Sequence, residues 1–334
     1  MASVRPSAND STTSTPATRA AGPHPGTPAA GASWQLALGR VGLGVGRGIG
    51  WVVLVGWAIV SLVPLYWMVT TSFMLPEEVW QVPPAFVPTV GKELPALLLS
   101  GRWTEAAELW AKATESYVFL FQSTPIWRWF LNSTIVSGVA TLGVLLLDSM
   151  AAYAFAKRRF PGRELLFWIM ISTLMIPGQV TLVPMFMIVR DAGLMNTLWA
   201  VILPDLSMVF GVFLLRQFMR TIPTELVEAA TIDGASELVI YSRIMVPLAK
   251  PGLATLGILT FMSTWNSFLW PLIALQRSEL FTLTVGLKTL QDKNLVQYGL
   301  LMSGATVAAI PMVIVFLMFQ RYFVKGLTLG GLKG

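Results

Sequence analysis

Four uninterrupted apolar runs constrain this chain more than anything else in it: Ile49 to Leu75, Leu165 to Val189, Pro251 to Gln276 and Asn294 to Gln320. Each exceeds the ~20 residues a helix needs to cross a bilayer. Two further runs carry one acid each, Asp148 within Trp129 to Ala156 and Asp205 within Ala192 to Leu215. Hydrocarbon offers no water to a peptide group, so runs of this kind are helices whose backbone bonds close internally. The expectation is an all-α, polytopic membrane protein with six transmembrane helices and both termini on one side. Composition agrees, with 54% hydrophobic and 12% charged residues, against about a quarter charged in soluble domains.

Lys and Arg collect on the cytoplasmic side of a membrane, most clearly in short loops near span ends. With the amino terminus inside, 15 of the 23 basic residues fall in cytoplasmic segments, among them Lys157, Arg158, Arg159, Arg163, Arg216, Arg220, Arg243 and Lys250. Both termini are therefore expected in the cytoplasm. The net charge of +6 reflects this topology rather than a basic soluble face for nucleic acid. Cysteine is absent and the single histidine, His24, lies in the polar amino-terminal segment, so neither a disulfide nor a His/Cys metal site is expected. No Ser-His or carboxylate constellation suggests an enzyme.

Residues 1–34 are rich in Ala, Ser, Thr, Pro and Gly and are expected to be a disordered tail, with no apolar stretch of the kind a cleaved signal peptide carries. Residues 35–127 hold the first span, led in by a glycine-rich stretch expected to be a loose interfacial segment, and a long external loop. Within that loop Glu105 to Tyr117 has the spacing of a short amphipathic helix, and the prolines before it argue for extended packing. Residues 128–320 form the main membrane domain, and 321–334 a carboxy-terminal tail. Between the third and fourth spans, Gly193 and Asn196 suit a helix stop and restart.

The longest cytoplasmic loop, 221–250, reads as two short helices on the membrane surface. Pro223 opens the first, Asp233-Gly234 breaks it, Ser236 caps the second and Pro247 stops it. Its residues Glu228, Ala229, Ala230, then Gly234, then Ile244, Val246 and Pro247 resemble the EAA motif of bacterial ABC-importer permeases, with Val246 where that family usually has leucine. The resemblance covers roughly Trp127 to Gly334. Asn132-Ser133-Thr134, Ala151 through Ala156, Trp265-Asn266, Trp270-Pro271-Leu272 and the ending from Gln320 are similar to the maltose-type, carbohydrate-uptake branch. Ser267 departs from the acid common there after Trp-Asn, and the first external loop is longer than usual.

This resemblance implies a type I ABC importer permease fold in a bacterial inner membrane. It also implies a second permease subunit, two ATPase subunits, an extracytoplasmic solute-binding protein and a sugar substrate. Glu228, Ala229, Ala230, Asp233, Gly234, Ile244 and Pro247 would couple to the ATPase: small side chains let a helix sink into a groove, and Glu228 would accept a charge-assisted bond from a partner arginine. Lys325 and Lys333 would be tail contacts to the ATPase. No G-x-x-x-x-G-K-[ST] run occurs, so ATP and magnesium belong to the partner and this chain carries no cofactor. Other solutes of the same machine, such as a phosphorylated polyol, a polyamine or an amino acid, remain open. An ion-driven secondary transporter would need more ionisable relays than Asp148 and Asp205.

In the spans, an acid facing lipid is costly, so Asp148 and Asp205 should face protein or water. Pairing with a basic residue on a neighbouring helix is the expected structural role of Asp148. Asp205 is a candidate for the substrate pathway, as are Asn266, whose amide suits hydroxyl-rich solutes, and Trp265, whose ring could stack on a sugar; Trp270 is a weaker one. The alternative for the tryptophans is the interfacial belt.

Overall fold

The computed structural model describes residues 30–292 and 298–331, with side chains described for residues 48–290 and 298–320. Most of the amino-terminal tail, and Lys333, therefore lie outside the described residues, and Lys325 is described by its backbone alone. Every described element is helical, as the apolar runs require.

The first helix, α1 (Ala30–Thr71), runs straight through the glycine-rich stretch expected to be loose. Once the chain is helical, glycine costs only about 1 kcal/mol per site. Cα packing divides the chain within this helix into 1–63 and Pro64–Gly334. In the first unit every described side chain from Gly48 to Val63 is exposed, including Trp51 and Trp57, as befits a span that meets lipid or another chain.

In the second unit the long loop folds into α2 (Pro76–Val79), α3 (Thr89–Leu99), α4 (Trp103–Ala113) and α5 (Glu115–Ser123). The helix expected over 105–117 is thus present as α4 and the start of α5, with Ala106 and Ala113 on the buried face. The proline-rich segment is only partly extended, since Pro76 begins α2. Leu120 of α5 is fully buried in a cluster with Ile126, Trp129 and Trp265, which ties the loop to the bundle.

The central element is α6 (Ile126–Lys157), 32 residues long. At 1.5 Å per residue it reaches about 48 Å, more than the ~30 Å hydrocarbon core, so its ends extend towards the interfaces. Residues of α6 enter all three apolar clusters of the unit: Val144, Ala152 and Tyr153 in one, Val136 in the second, Ile126 and Trp129 in the third. Around it lie α7 (Arg163–Ser172), α8 (Gly178–Asp191), α9 (Leu198–Ile202), α10 (Val209–Thr221), α11 (Glu225–Ile232), α12 (Glu237–Val239), α13 (Val246–Leu248), α14 (Lys250–Trp265), α15 (Leu269–Ala274), α16 (Leu283–Asp292) and α17 (Tyr298–Gly331).

Three described helices are long and apolar enough to span a membrane unbroken, and the number rises to six if each of three bent pairs is one span. The breaks follow local chemistry. Pro177 forces Ile176 out of the helical region, to φ −82°, ψ 117°, and the chain bends by 102° before α8. Between α8 and α9, Gly193 (φ +68°) and Asn196 (φ +62°) make the expected stop and restart, and the Thr197 side chain caps α9 by accepting from the Ala200 N–H.

The break before α10 has the most specific partner. Asp148 is fully buried, and its carboxylate accepts hydrogen bonds from the Ser207 hydroxyl at 2.7 Å and the Met208 N–H at 3.1 Å. No salt bridge to Asp148 occurs among the described residues, so the expected basic partner is replaced by the freed donors of a broken helix. The carboxylate lies where helical amides are unsatisfied and the local dipole favours negative charge. Gly211 leaves the room it needs, because a Cβ there would meet Asp148 Oδ2 at 2.1 Å. Gly211→Ala should therefore lower stability by about 1–3 kcal/mol through overpacking, read as a reduced unfolding midpoint in detergent; a midpoint equal to wild type would contradict this packing.

Candidate functional site

The 221–250 segment is a hairpin laid on the end of the bundle. Ile222 is extended (φ −73°, ψ 131°) ahead of Pro223, which ends α10. The first helix, α11, then stops in a Schellman turn: Gly234 takes φ +79°, its N–H bonds the Thr231 carbonyl, and the Ala235 N–H returns to the Ala230 carbonyl at 2.9 Å. Glycine is needed at this left-handed position. Ser236 begins the second helix at an extended φ/ψ, although its side chain makes no cap bond.

That second helix is α12, a π turn (Ile240–Met245) and α13 in succession. Pro247 does not stop it, contrary to expectation. Proline lacks an N–H and crowds the carbonyl four residues back, and the wider π turn ahead of it accommodates both defects. The stop comes at Ala249, where the chain bends by 79° into α14.

One face of the hairpin is core. Val227, Ile240, Met245 and Ala249 are buried with Ala152, Tyr153, Leu215 and Met219 of α6 and α10, and Ala230, Ala235 and Ile244 pack against them. The other face is open: Glu225, Glu228, Ala229, Asp233 and Pro247 are exposed, as are Ile232 at 85% and Leu238 at 68%. Of the paired alanines only Ala229 looks outward. Ala230 is half-buried inward and its carbonyl closes the turn, so only one of the two small residues expected to enter a partner's groove is on the free face. The outer face thus combines apolar side chains with a cluster of carboxylates.

Polar contacts fasten the inner face to α6. Tyr241 Oη lies 2.7 Å from Ser149 Oγ, and Tyr153 Oη donates to Glu237 Oε2 at 2.9 Å. Arg158 pairs with Glu237 at 2.6 Å, and both its Nε and an Nη bond the Tyr153 oxygen. Lys157 Nζ donates to the Ile222 carbonyl and to Thr224 Oγ1. Beside them Arg216, buried over the Phe167 ring at 3.8 Å, pairs with Glu164 at 3.1 Å. None of these residues was singled out as a site from sequence, although Ser149/Tyr153 and Glu237/Tyr241 each have the four-residue spacing that puts two side chains on one helix face.

The candidate pathway residues lie elsewhere and are not joined. Asn266 ends α14 at a break before α15; it is exposed, and its Nδ2 donates to the Met262 carbonyl at 2.8 Å. Asp205 is half-buried at the end of a 3-10 turn (Leu203–Asp205). No hydrogen bond or ion pair links the two among the described residues. Trp265, by contrast, is only 3% exposed. Its indole N–H donates to the Ala308 carbonyl and its ring is covered by Phe261 and Phe130, so the face expected to stack on a sugar is occupied by the protein core. Trp270 is buried too and donates to the Ala200 carbonyl, which removes it from the pathway and the belt alike.

Apolar helices of spanning length, with three bent pairs among them, carry an amphipathic hairpin that has one face buried and one face exposed, the architecture of a polytopic membrane protein. The family model of the binding-protein-dependent transport system inner membrane component matches residues 148–329. The chain belongs to this family: it is a multi-pass permease subunit of an ABC-type importer and not an enzyme. It is 41% identical over 221 residues to the arabinooligosaccharides transport system permease protein AraQ of Halalkalibacterium halodurans, spanning 66% of this chain and 79% of that protein. It is 32% identical over 269 residues to the sn-glycerol-3-phosphate transport system permease protein UgpE of Pectobacterium atrosepticum, spanning 80% and 90%. Among solved structures, a chain of a bacterial ABC transporter involved in the import of the acidic polysaccharide alginate superposes with a TM-score of 0.70 at 25% identity, covering 83% of this chain and 96% of that one.

The turn between the hairpin's helices depends on a backbone conformation that side chains resist. Gly234→Ala should cost about 1–2 kcal/mol at that turn alone, appearing as faster amide exchange in 225–240 with the remaining helices unchanged; exchange identical to wild type throughout would refute it.

Proposed function

We propose that this chain forms half of the pathway of a carbohydrate importer and couples it to ATP hydrolysis on separate subunits. The observation that carries the reading is the hairpin: its inner face is completed by the bundle, while its outer face leaves Ile232, Leu238, Glu228 and Asp233 without a covering surface. The basic-residue tally supports an orientation with both termini, and this hairpin, in the cytoplasm. There it would dock on one of two ATPase subunits, which hold ATP and magnesium, with Glu228 bonded to an arginine of that partner. Lys325 and Lys333 would add contacts from the tail. A second permease completes the pathway and an extracytoplasmic solute-binding protein delivers the cargo. Closure of the ATPases would shift the hairpin and tip the spans between inward-open and outward-open states, with Asn266 and Asp205 along the route.

Carbohydrate is favoured as cargo because the arabinooligosaccharide permease is the more similar of the two relatives, and the structural neighbour serves a polysaccharide importer. A phosphorylated polyol is the second reading, supported by the glycerol-3-phosphate permease relatives. Uptake of labelled arabinooligosaccharides against labelled glycerol-3-phosphate separates the two.

Glu228→Lys tests the coupling. Reversing one charge of a buried, hydrogen-bonded pair costs at least the ~2–5 kcal/mol of truncating it, so uptake should fall about 30-fold or more, while the variant still inserts in the membrane. Normal uptake would remove the proposal.

A further inference from the structure

The bonds between the hairpin and α6 form a register. On α6, Ser149 and Tyr153 are four residues apart; on the second hairpin helix, Glu237 and Tyr241 are also four apart. Ser149 meets Tyr241 and Tyr153 meets Glu237, so the two rows pair in antiparallel order, 149 with 241 and 153 with 237. The tyrosine rings lie between the two bonds, 5.8 Å apart. Arg158 closes one end of the row on Glu237 and Tyr153, and Lys157 holds the hairpin's entry at Ile222. Beneath the row, Ile240 and Met245 are fully buried in one cluster with Ala152 and Tyr153.

The covalent path out of the hairpin is a bent connection. It passes through Ala249, where the helix is interrupted and the chain turns by 79°, and through the π turn, a helix form that is rare and frequent at functional sites. Backbone hydrogen bonds from the Ala249 N–H to the Met245 carbonyl and from the Leu253 N–H to the Ala249 carbonyl cross that bend, whereas the contact across to α6 is made by two rows of side chains.

We propose that this polar zipper makes the hairpin and α6 a single rigid body, so that motion of the ATPase enters the membrane through the second span as well as along the chain. Ser149, Tyr153, Arg158, Glu237 and Tyr241 are positioning residues for that transfer. The proposal rests on the coupling role assigned to the hairpin, and its failure is separable: loss of the ATPase from the complex speaks against the docking role, whereas the measurements below concern a complex that has assembled.

Because the chain has no cysteine, labels can be placed on it without background from its own residues, before assembly with the other subunits. Spin labels on Met150→Cys and Ser242→Cys, both exposed positions outside the zipper, report the α6–hairpin distance in the assembled transporter, with and without trapped ATP. The distance should be the same in both states, and a nucleotide-dependent change would overturn the proposal. In the Tyr153→Phe/Tyr241→Phe variant, which keeps both rings but removes both hydroxyl links, the distance should become nucleotide-dependent. Stimulation of ATP hydrolysis by the binding protein should fall about 5-fold or more, with basal hydrolysis retained; full stimulation would overturn it. Glu237→Arg should likewise uncouple, and adding Arg158→Glu should restore coupling, a rescue that a purely structural loss would not show.

Discussion

In hydrocarbon a polar side chain left without a partner is expensive, and α6 uses that cost towards both its ends to decide which segments lie against it. At one end Trp129 donates to the Ser278 carbonyl, Asn132 to the Glu279 and Phe281 carbonyls, and Ser133 accepts from the Leu283 N–H. These bonds fix the loop between α15 and α16. Further along, Asp148 holds the break before α10, and at the far end Ser149, Tyr153, Lys157 and Arg158 hold the hairpin. Each bond contributes only about 0.5–1.5 kcal/mol when made, yet leaving its buried group unmade costs about 1–3. The alternatives are penalised more than the native contacts are rewarded, which selects one arrangement among many equally apolar ones.

The same logic explains why so many of the spans are bent. A broken helix frees backbone groups that lipid cannot satisfy, so a break survives only where protein supplies partners. Asp148 does so for Met208 at the break before α10, and at the turn between α8 and α9 Thr197 caps Ala200 while Asn196 presents its side-chain oxygen to the Gln276 and Arg277 amides and donates its own N–H to the Ala274 carbonyl. Irregular backbone within a membrane is tolerated only where protein or a water-filled cavity surrounds it.

Much of this was legible in the residues because it depended on local chemistry. The number of apolar runs, the turn at Gly193 and Asn196, and the glycine turn of the hairpin all follow from patterns within a few positions. What was not legible depended on contacts far apart in sequence. Asp148 was expected beside a basic residue because charge suggests charge, and its true partners, Ser207 and Met208, become donors only once α10 starts where it does. Trp265 was a candidate for stacking on a sugar or for the interfacial belt, but the Ala308 carbonyl that binds its indole lies 43 residues away. Pro247 carries a rule about single helices that a π turn, selected by packing of Ile240 and Met245, overrides. The Asn132-Ser133 pair was noticed as a family likeness, and only the fold shows it as a clamp on a distant loop.

The hairpin illustrates how one short segment can belong to two structures at once. Its inward side chains are indistinguishable from core: Ile240 and Met245 are as fully buried as Leu215 at the heart of α10. Its outward side chains would be a liability on a finished surface, since Ile232 and Leu238 stand in open solvent beside a row of carboxylates. A segment anchored this firmly on one face has little freedom left to reshape itself for a partner, so whatever covers the other face must conform to it or move it whole. Burial on the inner face thus fixes the shape of the hairpin, and the bend of 79° at Ala249 sets the direction in which α14 leaves it.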